Sequence, residues 1–562
     1  MKTTYSIDMR NSLILVKAIA LAVLLGAFNQ SCTDLDEELY SEVTPDNFFK
    51  TDEEILAGLG AAYTQFGNWA SGDPFTLQTI TSDEVVVPTR GQDWDDGGAW
   101  RRWHLHSWTR EDGALNGGWS FGYSGVTTCN RLIYQFQFMV DNGTMEPDVA
   151  EAYIAELRAV RGFFYWQLID MFGNVPLVTT FITADPFPAT VDRADVYNWL
   201  VADLEEVVPQ LPKVVDASTY GRMNYYAGKM LLAKLYLNAK QYSGSANYEA
   251  AVAACDEIIN SGLYSLESNY FANFDVENSA SKEFIFTIPF DEVYFTGFNL
   301  AARTLHYASQ YTYNLAYQPW NGFCSLEEFY NSYEDEDLRK GDPGTLEGRA
   351  VNRGNFIAGY QYNADGTKAL DAGAGTDDPD GELLNFGSIG SGEPQINELG
   401  PNALRQAGVR IGKWEIGMNG EPNMSNDYAI FRYADVLLMK AEALWRLNSA
   451  DPNVLPLVNQ IRARAGVADL TTVDGPVSFD MDGGDVPGGE LLNEIGREMF
   501  AENGKRQALI RWELFDDVNL WALPIGNPGD VIETGEHTYL FPIHRDKLDA
   551  NPNLRQNPGY AE

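Results

Sequence analysis

Tyr428–Asn448, YAIFRYADVLLMKAEALWRLN, is followed by Leu457–Val467, LVNQIRARAGV. Apolar residues recur at helical spacing in both, alanines stand where paired helices cross, and a short polar turn separates them. The spacing predicts helices over 427–447 and 453–465, folded back as a hairpin. A second pair of this kind is GKMLLAKLYLNAKQY (228–242) with NYEAAVAACDEIINSGLY (247–264). Further helices are predicted over 194–208, 224–239, 248–261 and 491–511, and from Ala150 to the stop at Gly173 and Pro176. Thr51-Asp52-Glu53-Glu54 has the form of a capping box, so another helix begins there.

Small residues between paired helices resemble tetratricopeptide units, in which they permit close approach. The fold class expected is mainly α: a scaffold of about four tetratricopeptide-like hairpins. From about Tyr270 to Pro422 the pattern changes to β-branched and aromatic clusters such as EFIFTIPF, and to loops such as NADGTKALDAGAGTDDPDGELLNF. Long irregular segments within a globular chain generally carry function. We therefore expect one domain over 32–562, its scaffold mainly 45–270 and 427–520. The loop-rich, partly β ligand region is expected over 70–120 and 270–425.

Lys2, Arg10 and Lys17 precede the eleven-residue apolar run Ala18–Phe28, which is too short to span a bilayer. Residues 1–31 read as an export leader, and Ser31-Cys32 as a lipoprotein cleavage site that leaves Cys32 acylated. Cys129, Cys255 and Cys324 then remain, an odd number that argues against a disulfide framework. The whole chain of 562 residues holds 39 basic and 80 acidic residues. Three of the basic residues and one acid, Asp8, precede Cys32, which leaves a formal charge of −43. Such a field repels nucleic acid and anionic lipid headgroups. Past the leader no stretch approaches eighteen uninterrupted apolar residues, so membrane attachment is expected through lipid alone.

Several stretches together resemble the SusD/RagB family of outer-membrane nutrient-binding lipoproteins. They are RGFFYWQLIDMFGNVPLV (161–178), DRADVYNWLVADLEEVVPQLP (192–212), GRMNYYAGKMLLAKLYL (221–237), the 428–467 pair, and LFPIHRDKLDANPNLRQNPGY (540–560). The resemblance covers nearly all of the chain after the leader. It implies a surface-exposed, lipid-anchored protein that captures glycans and passes them to a SusC-like TonB-dependent barrel transporter, with no catalysis of its own. Asp34, Asp36 and Glu37 are similar to the signal that sends such lipoproteins to the cell surface.

Sugars have apolar C–H faces and polar edges, so their sites combine flat aromatic rings with side chains that reach hydroxyls. Arg90–Trp108, RGQDWDDGGAWRRWHLHSW, supplies both, with four tryptophans in nineteen residues. Trp94 and Trp100, flanked by glycine and aspartate, are expected to face a ligand, with Asp83, Arg90, Asp93 and Asp96 as polar partners. RRWHLHSW alternates like a strand, so Trp103 and Trp108 are expected to pack in the core. YNLAYQPWNGFC contributes a second group: Tyr313, Trp320, Asn321 and Cys324.

No motif calls for a cofactor or a resident metal. His104-x-His106 has no third ligand nearby. Gly408-VRI-Gly412-Lys413 is one residue short of a phosphate loop and lacks its Ser/Thr. Asp378-x-Asp380-Gly381 and Asp480-x-Asp482 lack the closing glutamate of a calcium loop. The alternative function is a helical glycoside hydrolase on the same glycans, with two carboxylates in a tryptophan-lined cleft.

Overall fold

The computed structural model describes residues 51–183, 185–373, 380–387, 396–477, 484–517 and 532–561. The expected leader, Cys32, Asp34, Asp36, Glu37, Asp378, Asp480 and Asp482 lie outside them. The chain divides at Glu54. In the first unit Thr51 and Glu54 exchange side-chain-to-backbone hydrogen bonds at 3.0 and 3.2 Å, the reciprocal arrangement of a capping box. The second unit begins at Ile55.

Helices dominate. Gly113–Asp141 packs on Pro147–Met171, which packs in turn on Arg193–Val207. Tyr225–Leu237 packs on Tyr248–Ser261, and Tyr433–Leu447 on Val454–Ala465. Tyr248–Ser261 also packs on Tyr433–Leu447, so hairpins far apart in sequence form one continuous stack. Close approach has a visible cause in the first pair. A β-carbon on Gly122 would stand 2.5 Å from Leu168, and one on Gly125 would stand 2.3 Å from the Phe164 ring. Only glycine lets these helices meet there.

Two helix boundaries differ from the periodicity. Residues 428–432 form a strand antiparallel to Phe284–Ile288, and the helix starts only at Tyr433. All five residues of that strand are buried, so the segment has no period that separates strand from helix. The predicted 491–511 helix is two, Gly489–Glu498 and Lys505–Arg511, separated where Ala501 and Asn503 take φ of 58° and 61°. Lys505–Arg511 cannot continue through such left-handed residues.

The motifs that predicted the scaffold converge on a buried ionic knot. Arg432 reaches Glu283 at 3.3 Å, Glu498 at 2.5 Å and Glu502 at 2.8 Å. Arg464 pairs with Glu283 at 2.6 Å and also with Glu498. Arg339 and Lys413 enter from the irregular region, to Glu494 at 2.7 Å and to Glu502 at 2.5 Å. The knot ties strand, hairpin, C-terminal helix and inserted region together. Each side chain is nearly inaccessible to solvent, so the charges persist only because every one is paired.

Between the hairpins, the irregular region is built around short two-stranded sheets. No helix of the described residues is long and apolar enough to cross a membrane.

Candidate functional site

Two remote segments meet through a small sheet. Val85–Val86 pairs antiparallel with Cys324–Ser325. This brings the tryptophan-rich stretch that follows Val86 against the Trp320–Phe323 stretch that precedes Cys324. The latter is held on the helix Leu300–Thr304 by amides of Trp320, Gly322 and Phe323 donating to the carbonyls of Ala302 and Arg303 at 2.7–2.9 Å.

The first segment turns tightly. Arg90 and Asp93 bond each other's backbone at 3.1 Å, and Trp94, Asp96, Gly97 and Gly98 all take positive φ. For tryptophan and aspartate that conformation is uncommon and is kept only where surroundings enforce it. Here the Trp94 indole N–H donates to the Trp320 carbonyl at 2.6 Å, and the Trp100 N–H to Asp96 Oδ2 at 2.6 Å. The two rings meet edge to face at 5.2 Å, and each rests on Phe323, at 5.6 and 5.7 Å. Phe323 is fully buried and stacks on Phe75. Trp94 and Trp100 are half-buried, and Trp320 is 39% exposed with the Arg303 guanidinium 5.9 Å from its ring centre. Trp94 and Trp100 thus share a rigid apolar base, with the Trp320 ring exposed beside Arg303.

Asp93 accepts the Tyr307 hydroxyl and Asp96 the Trp100 indole, so both predicted acceptors serve to fix the cluster. Four other candidates turn inward. Arg90 is fully buried and donates to the carbonyls of Asn321 and Gly322 at 3.0 Å and of Ala407 at 2.9 Å. Asn321 is buried between the Arg405 carbonyl and the Arg410 guanidinium. Cys324 is a buried strand residue, and Asp83 is buried 3.4 Å from Lys505, its carboxyl raised above the usual range by burial. These four are corrected from ligand contacts to supports: loop carbonyls in irregular backbone need internal donors, and Arg90 supplies them. Tyr313 lies apart from the cluster, lining a different cavity.

Trp103 and Trp108 pack in the core as expected, 2% and 5% exposed, both against Phe541. Their backbone differs from the expectation, since Ala99–His104 is a short helix after Gly98 and not a strand. His104 and His106 are buried and burial lowers their titration to about 4 and about 3, so both imidazoles are neutral. Among the described residues no group of His, Cys, Asp and Glu is placed to hold a metal. Sequence reasoning missed Phe323, Tyr307 and Arg303. Phe323 stands three residues from Trp320 and had a signal in WNGFC, whereas nothing local marks Tyr307 or Arg303.

A model described as the SusD family matches residues 282–560. The starch-binding protein SusD of Bacteroides thetaiotaomicron is 24% identical over 467 residues, 78% of this chain and 77% of its own. Among solved structures, a SusD superfamily protein from Parabacteroides distasonis superposes with a TM-score of 0.67 at 21% identity, over 92% of this chain and 100% of that one. Surface glycan-binding protein A from Bacteroides thetaiotaomicron, solved in complex with laminarihexaose, gives a TM-score of 0.66 at 21% identity, over 90% and 99%. On the family match over residues 282–560 the chain belongs to the SusD family, and the solved structures share its fold.

Proposed function

We propose that this protein binds oligosaccharide on the Trp94–Trp100–Trp320 surface and presents it to a partner TonB-dependent barrel transporter. The observation that carries the reading is the Trp94–Trp100 pair on its Phe323 base, tied by the Trp94 indole to the backbone of Trp320, whose own ring is open to solvent. Indole faces stack on the C–H faces of pyranose rings, each stack contributing on the order of 1 kcal/mol beyond its burial. Two or three stacks with a few hydrogen bonds give affinities in the roughly millimolar to micromolar range, suited to capture and release. Relatives described as starch-binding and as bound to laminarihexaose support a saccharide ligand.

In this reading the chain is a lipid-anchored surface protein held at Cys32, and it performs no chemistry on the glycan. Anchoring beside a transporter raises local glycan concentration and offsets weak single-site affinity. The test is affinity electrophoresis against a panel of polysaccharides, with reducing ends assayed after long incubation. Retention by at least one neutral glycan without new reducing ends is expected. Turnover would replace the reading with a glycoside hydrolase, and no retention by any glycan would remove it.

A further inference from the structure

The irregular region encloses a second cavity of about 360 Å³, lined by none of the tryptophan-cluster residues. Its volume lies in the roughly 300–1,000 Å³ range of small-molecule sites. Tyr313 and Tyr360 line it, both half-buried, and so do Thr312, Arg349, Arg353 and Trp414.

The polar inventory of this lining is lopsided. Thr312 Oγ1, Arg353 Nε and Trp414 Nε1 are buried atoms with no hydrogen-bond partner among the described residues. An indole N–H and a guanidinium N–H can only donate, and a hydroxyl can also donate. Leaving such an atom unmet costs about 1–3 kcal/mol, so donors gathered on one cavity call for an acceptor from outside. Arg349 is exposed, donates to the Asn363 carbonyl and forms no ion pair among the described residues. Arg353 gives one terminal nitrogen to Asp275 at 2.7 Å and the other to the carbonyls of Lys413 at 3.0 Å and Phe271 at 3.4 Å, which leaves only its Nε–H without a partner among the described residues. The carboxylates of the lining are already engaged, Asp342 by Asn352 and Glu415 by the Val276 amide at 2.9 Å. The lining thus holds two carboxylates and two guanidiniums, and the groups left without a partner among the described residues are the three donors and the unpaired Arg349 cation.

We propose that the cavity is a second saccharide site that takes a uronic-acid residue, its carboxylate toward Arg349 and Arg353 and its ring against Tyr313 and Tyr360. Guanidinium donors match a carboxylate's paired oxygens, and flat phenol rings match a sugar's C–H face. The proposal extends the reading of this chain as a saccharide binder but does not depend on the tryptophan cluster being the other site.

The test is calorimetric titration of the full mature chain with trigalacturonate and with a glucuronate-bearing oligosaccharide, alongside neutral galactotriose. At least one acidic probe is expected to bind saturably, with affinity reduced about tenfold or more by Arg349→Gln, as for loss of a charge-assisted contact, and unchanged by Trp320→Ala. Arg349 is exposed, so its variant keeps the fold; Thr312→Val, which removes only a hydroxyl, is expected to weaken the same probe. Saturation by neither acidic probe would overturn the proposal. So would binding that survives Arg349→Gln intact, or that is abolished by Trp320→Ala. Neutral-glycan retention lost in Trp320→Ala tests the tryptophan cluster separately, so the two readings fail independently.

Discussion

Gly322 lies directly beneath Trp94: a β-carbon there would come 2.4 Å from Cε2 of the indole. The tryptophan can bond the Trp320 carbonyl and lean on Phe323 only because this position lacks a side chain. Gly322→Ala is therefore expected to push Trp94 out of place. Overpacking of this kind costs about 1–3 kcal/mol of stability, and the loss of one stacking ring lowers glycan affinity about tenfold. Titration followed by intrinsic fluorescence reads both ring displacement and affinity. An unchanged affinity would mean that Trp94 does not touch the ligand.

Trp320 and Trp103 make a contrasting pair. The first is 39% exposed, the second 2%. Trp320→Ala is expected to shift stability by less than about 1 kcal/mol while weakening glycan retention about tenfold. Trp103→Ala opens the core and is expected to cost about 3–5 kcal/mol. Thermal melts with affinity gels separate the two outcomes, and a large stability loss in Trp320→Ala would reassign that ring to packing.

The same contrast shows what could be read before the structure. Helical periodicity and alanine spacing located the hairpins, because burial along one helix face repeats every few residues and is a local property. That Trp94 and Trp100 stand half-buried at an irregular turn and not in the core was legible from their glycine and aspartate neighbours. The roles of Arg90, Asn321 and Cys324 were not, because their partners lie up to 317 positions away and only pairing of Val85–Val86 with Cys324–Ser325 brings them together. A buried arginine serving carbonyls and an exposed arginine look alike in sequence. The strand at 428–432 was hidden for a related reason: a segment buried on every side has no period to distinguish strand from helix.

Arg432 is the hub of the ionic knot, in contact with three glutamates. Arg432→Met preserves much of the volume and leaves Glu283, Glu498 and Glu502 one cation short in a dry interior, with only Arg464, Arg339 and Lys413 to balance them. Removing one partner from a buried ion cluster costs about 3–5 kcal/mol, so the urea midpoint is expected to fall sharply. Far-surface positions such as Val351, which is 88% exposed, serve as controls. A midpoint unaffected by Arg432→Met would show that the knot is replaceable by apolar packing.

Glu84 supplies the pH dependence that separates most cleanly from the rest. Its side chain is fully buried and accepts the Ala501 amide at 3.0 Å. Burial raises its titration from 4.5 to about 8, with Asp83 adding to the rise and Lys505 opposing it. The folded protein thus holds a proton on Glu84 that the unfolded chain releases above pH 4.5. The contribution is fully present below that pH and is lost as pH climbs through about 8, at up to about 1.4 kcal/mol per unit. His104 and His106 act the other way, since their lowered titrations remove stability only as pH falls below 6.5. Between pH 6.5 and 8 their contribution is flat, and Lys413, lowered to about 8, acts above that window. Urea unfolding across pH 6.5 to 8 is expected to show falling stability for the parent protein. Glu84→Gln keeps an acceptor for the Ala501 amide and cannot ionise, so its slope is expected to be shallower; equal slopes would place the Glu84 titration outside this window.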